Sequence, residues 1–119
     1  MKVIKGKKTR GRKKGSDISG TRLAEMIEEA TVDAYSESEQ ATGWFTMFES
    51  YLELPFVTDV LGVRVTVEAI DLRDDNHIVA ACRRGKEKLA IGIVDLPLPS
   101  PRPEGAEWIE AYRRWCRSR

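Results

Sequence analysis

The side chains best placed to do chemistry are carboxylates. Between Thr21 and Val60 the chain carries Glu25, Glu28, Glu29, Asp33, Glu37, Glu39, Glu49, Glu53 and Asp59 against one base, Arg22. Like charges one helical turn apart repel, and helices usually relieve this with Lys or Arg at the same spacing. None is supplied here, so water, the rest of the protein or a bound cation must tolerate the charge. Calcium is a hard cation that takes about 6–8 oxygen ligands from carboxylates, carbonyls and water. Asp33, Glu37 and Glu39 could offer three carboxylates from one short stretch, with Ser36 and Ser38 beside them. Asp71, Asp74 and Asp75, with Asn76, form a second oxygen-rich stretch. Neither is an EF-hand: counted from Asp33, Tyr35 and Trp44 fall on ligand positions, and counted from Asp71, Arg73 does. On spacing alone, solvated surface carboxylates remain the alternative to a metal site.

Other chemistries find less support. His77 is the sole histidine, and no nucleophile motif surrounds it, so general-base catalysis lacks a second partner. Cys82 and Cys116 are isolated and lack the paired ligand spacing of a structural zinc site. Gly6 and Gly11 resemble the opening of a P-loop, but Arg12 and Lys13 stand where Lys and Ser or Thr are required. A non-enzymatic protein is expected.

Charge is segregated along the chain. The net charge is only +1, yet residues 1–20 hold eight Lys/Arg against Asp17 alone. Lys7, Lys8, Arg10, Arg12, Lys13 and Lys14 crowd the centre of this segment and are candidate contacts to nucleic-acid phosphates. The same segment is Gly-punctuated and poor in bulky apolar groups, so disorder is expected for residues 1–20. No apolar run approaches the roughly 20 residues of a membrane span. Val3 and Ile4 are followed at once by lysine, so no signal-peptide core is present. These features predict a cytoplasmic, reduced monomer without a membrane partner.

One small domain over residues 21–119 must position the carboxylates. Leu23, Met26, Ile27, Ala30 and Ala34 share one helical face, predicting a helix that starts near Ser19 or Thr21. Ser36 and Glu39 read as a capping box for a second helix, with Ala41, Trp44, Phe45, Phe48 and Leu52 on its buried stripe. Leu54-Pro55 ends it. Strands are predicted at Phe56–Leu61, Arg64–Ile70, His77–Arg83 and Lys88–Val94, with a polar turn over Asp71–Asn76 and a hairpin turn at Arg84-Gly85-Lys86. Pro97, Pro99, Pro101 and Pro103 impose an extended connector, and Glu104–Arg117 reads as a last helix. The expected fold is α+β: two N-terminal helices, a small antiparallel SH3-like curled sheet and a C-terminal helix.

The run DAYSESEQATGW at Asp33–Trp44, followed by LELPF at Leu52–Phe56, resembles the small prokaryotic calcium-binding family typified by the cyanobacterial regulator CcbP. CRRG at Cys82–Gly85, LPLP at Leu96–Pro99 and GAEWIEAYRRW at Gly105–Trp115 extend the likeness over roughly Val32–Trp115. The resemblance implies calcium binding without EF-hands through an acidic surface, with Asp33, Glu37 and Glu39 as carboxylate ligands. On their own oxygen-rich spacing, and not from the resemblance, Asp71, Asp74 and Asp75 would build a weaker second site. The resemblance further implies a regulatory calcium buffer or sensor. The rival reading is an accessory protein that binds DNA, RNA or the ribosome through its basic N-terminal segment.

Overall fold

The computed structural model describes residues 19–119. The first helix, α1 (Gly20–Thr31), starts where Ser19 can cap it, the Ser19 hydroxyl accepting from the Arg22 N–H at 3.0 Å. It buries Met26 and Ala30 and stops at Val32, so Ala34 lies in the following turn and not on the helix. The second helix, α2 (Glu37–Tyr51), opens on the capping box expected of Ser36 and Glu39. Its buried face is Ala41, Trp44 and Phe48. Gly43 lies against α1: a Cβ there would overlap the Ala30 carbonyl oxygen. The two helix backbones therefore touch, which holds the intervening turn in place.

Four strands follow: β1 (Phe56–Val60), β2 (Val63–Leu72), β3 (Ile78–Arg84) and β4 (Glu87–Gly92). They form an antiparallel meander in the order β1-β2-β3-β4. Leu61 and Gly62, both at positive φ, make the first hairpin turn, the conformation that matches the twist of the strands they join. The β2–β3 register shifts between Val67 and Ala69, a bulge at Glu68 that increases local twist. Val65, Val67, Ile70, Ile78, Ala80 and Cys82 line the buried face, against which α2 packs through β2. Among the described residues the side chains of the opposite face are exposed or half-buried, the usual condition of an antiparallel sheet in an α+β fold.

Two sequence expectations shift here. Strand β2 runs on to Leu72, so Asp71 sits opposite Val79 in the ladder and not in the turn. Strand β4 ends at Gly92, and Ile93–Asp95 form a 3-10 turn that drives Ile93 fully into the core. After the proline connector, α3 (Ala106–Arg117) begins at Gly105, whose φ of 86° is left-handed. A Cβ on Gly105 would also overlap the Tyr51 carbonyl oxygen at the end of α2. Trp108 and Tyr112 of α3 meet Trp44 edge-on at 6.4 and 5.3 Å between ring centroids. This aromatic cluster joins α2 to α3, and α1 packs alongside both.

Candidate metal centre

The α1–α2 turn gathers the first set of candidate carboxylates. The helix ends at Val32, whose ψ of 131° is extended, and Asp33 follows at φ 57°, a left-handed conformation that Asp tolerates better than most residues. Its Oδ1 accepts from the Tyr35 hydroxyl at 3.4 Å. Glu39 is turned back on the helix start: its Oε1 accepts from the backbone N–H groups of Tyr35 at 2.8 Å and Ser36 at 3.2 Å. The Ser36 hydroxyl in turn accepts from the Glu39 N–H at 3.1 Å. One oxygen of Glu39 is thereby committed to the cap. Glu37 points outward, and its Oε2 lies 3.4 Å from Arg119 Nη2, a partner 82 positions away. The Arg119 guanidinium also sits 4.4 Å from the centroid of the Trp115 ring, a cation–π contact. Nothing in the sequence pattern around Glu37 points to Arg119, because no local spacing links them.

The second set is divided between strand and turn. Asp71 reaches Arg73 at 3.9 Å from its ladder position. Asp75 is bound by its neighbour through both oxygens: Oδ1 accepts from the His77 N–H at 3.1 Å, and Oδ2 lies 2.9 Å from His77 Nδ1. The hydrogen bond from the His77 side chain holds the Asp75 carboxyl below the usual carboxylate range. Asn76, at φ 71°, completes the turn with its N–H on the Arg73 carbonyl. Asp74 is exposed, with no ion pair among the described residues.

In kind, these residues suit a hard cation, since every donor is an oxygen. In placement they fall short: among the described residues, no three His, Cys, Asp or Glu side chains converge on one point. The turn brings Asp33, Glu37 and Glu39 into one neighbourhood, but Glu39 serves the cap and Glu37 an arginine. Nucleophilic chemistry fares no better. Burial pushes the thiols of both Cys82 and Cys116 up, which disfavours the thiolate a nucleophile needs. The His77 ring, outside the core, has Asp75 as its one ion-pair partner among the described residues. The six basic candidates, Lys7, Lys8, Arg10, Arg12, Lys13 and Lys14, lie outside the described residues. Among the described residues no helix is long and apolar enough to cross a membrane.

Residues 24–116 match the model of a protein family described as calcium binding and named for CcbP. The fold is also similar to two solved structures. One is a calcium binding protein in its calcium-binding form, 18% identical, with a TM-score of 0.66 over 85% of this chain and 97% of that one. The other is CcbP of Anabaena, 19% identical, with a TM-score of 0.64 over 85% of this chain and 94% of that one. Among curated protein sequences, none matches this chain.

Proposed function

This chain belongs to the CcbP calcium-binding family, and from that premise we propose that it binds Ca2+ at the α1–α2 turn and acts, without catalysis, as a cytoplasmic calcium buffer or sensor. The observation that carries the reading is the state of Glu37. No base stands one helical turn from Glu37, and its one described partner is an exposed arginine from the far end of the chain. Exposed ion pairs of this kind contribute about 0–1 kcal/mol, so a divalent cation competes with Arg119 on favourable terms. Asp33 and Glu37 supply carboxylate oxygens, and Glu39 adds the oxygen its cap leaves over. Asp71, Asp74 and Asp75 form a weaker second site, because Asp75 already has both oxygens engaged and Asp71 is held in the ladder.

A thermal melt in millimolar calcium against excess chelator tests the reading. Calcium at 100 times its dissociation constant adds about 2.7 kcal/mol, which raises the melting temperature of a domain this size by several degrees. Magnesium does less, because it gives up water reluctantly and demands stricter octahedral geometry. Superimposable melts with calcium and with chelator would sink the proposal.

A further inference from the structure

Arg119 is held by groups from two different helices. Its Nη2 lies 3.4 Å from Glu37 Oε2 on α2, and its guanidinium carbon lies 4.4 Å from the centroid of the Trp115 ring on α3. That ring is fixed in position, packed on Trp44 and Tyr112 at 5.7 and 5.9 Å between centroids. A carboxylate beside an aromatic face is a donor set for an organic cation. The ring quadrupole attracts the charge, and the carboxylate accepts its N–H groups. Guanidinium suits the pair better than ammonium does, because a planar fork can stack on the ring while its edge meets the carboxylate. The structure shows such a group seated on both at once.

The occupant is loosely held. The side chains of Arg119 and Glu37 are 45% and 76% exposed, and both an exposed ion pair and an exposed cation–π contact are weak. A second arginine can therefore displace the first. Helices α1 and α2 also carry Glu28, Glu29, Asp33 and Glu49, all exposed and without an ion pair among the described residues. Their field draws in a cationic segment and repels a polyanion or an anionic membrane.

We propose that Glu37 and Trp115 form a docking site for an arginine on a basic segment of a partner protein, with Arg119 as the intramolecular occupant that the incoming side chain displaces. The site stands apart from the calcium reading, although both draw on Glu37. Where calcium binds there, calcium and the basic segment exclude one another.

The test uses the full chain and fluorescence anisotropy on a labelled peptide of three arginines. Titrations are run in excess chelator, so the outcome does not depend on whether calcium binds, and at about 50 mM salt, where exposed charges are little screened. Arg119→Ala vacates the seat and should tighten peptide binding about fivefold. Arg117→Ala removes the same charge without touching Glu37 or Trp115 and should change it less than about twofold. Adding Glu37→Gln to Arg119→Ala should abolish the gain, and Glu37 is exposed enough for the fold to tolerate the change. A matching peptide of three lysines should bind Arg119→Ala about threefold more weakly than the arginine peptide. In NMR spectra the Trp115 indole N–H signal should move as the arginine peptide is added. Equal affinity in the unaltered chain and Arg119→Ala would overturn the proposal, as would an equal gain from Arg117→Ala. So would equal binding of the two peptides by Arg119→Ala, or no binding at all.

Discussion

The two acid-bearing turns of this domain use their carboxylates in opposite ways. In the β2–β3 turn, Asp75 builds the turn itself, with both oxygens held by the next residue but one, His77. In the α1–α2 turn the work is divided. Glu39 closes the cap with one oxygen, while Asp33 and Glu37 face solvent, with a tyrosine hydroxyl and a distant arginine as partners. A strand turn of a few residues needs its polar side chains to satisfy its own backbone. A helix start needs a side-chain acceptor at the cap and its third residue, leaving other first-turn acids to interact with the dipole alone. Charge available for a ligand therefore accumulates at the helix turn and not at the strand turn.

The strongest way to break this comparison is Gly43→Ala. Its methyl would enter the space of the Ala30 carbonyl and push α1 from α2, while the β2–β3 turn is untouched. Overpacking of this kind costs about 3 kcal/mol, measured as a drop in urea midpoint, and calcium-dependent stabilisation should weaken with it. An unchanged midpoint would mean that the helices separate freely and that their contact does not hold the turn.

Charge removal at each turn sharpens the contrast. Asp33→Asn and Glu37→Gln keep size and shape, and each should weaken calcium binding on the order of tenfold, or about 1.4 kcal/mol. Asp75→Asn should leave it within twofold. Isothermal titration of the three variants decides the matter, and a loss confined to Asp75→Asn would move the principal site to the strand turn.

A smaller effect is expected at Arg119. Arg119→Ala removes the cation that competes for Glu37, so calcium affinity should rise about two- to threefold, in keeping with the modest strength of exposed pairs. Because Arg119 also lies on the Trp115 ring, calcium should alter tryptophan fluorescence in the unaltered chain and less so in the variant. A fluorescence change of equal size in both would show that Arg119 is not displaced.

The smallest effect is the acid dependence of the strand turn. Asp75 has a folded-state pKa below its ordinary 3.8. Its contribution to stability is complete above pH 3.8 and fades as pH falls through the lower folded value. Melts between pH 5 and 3 should therefore show the unaltered chain losing slightly more stability than Asp75→Asn below about pH 4. Parallel curves would mean that the His77 contact contributes nothing to the fold.

Much of this architecture is legible without coordinates because its causes are local. Ser36 and Glu39 announce the start of α2, and the alternation of Val63, Val65 and Val67 announces β2. Local pattern does not decide the outcome where one side chain has two possible uses. Glu39 is a plausible calcium ligand and a capping residue, and only the direction of its carboxylate, toward the Tyr35 and Ser36 N–H groups, shows which use the fold makes of it. The pattern around Asp71 predicts a polar turn because acids are common there. Its place in the ladder depends on pairing with Val79, which no window around Asp71 contains.

Sequence by itself determined the α+β class, the helix caps, the charge segregation and the neighbourhood of the acids, since each follows from residues within a turn or two of one another. Tertiary structure decided which charges are already spent. Glu37 meets Arg119 across 82 positions, Gly43 admits the Ala30 carbonyl, and Gly20 comes to rest against Arg114 while Arg117 stays exposed beyond it. Those pairings depend on how α1, α2 and α3 pack against one another. Local pattern cannot encode them, because the energy that selects them comes from burying the shared aromatic core and not from the charges themselves.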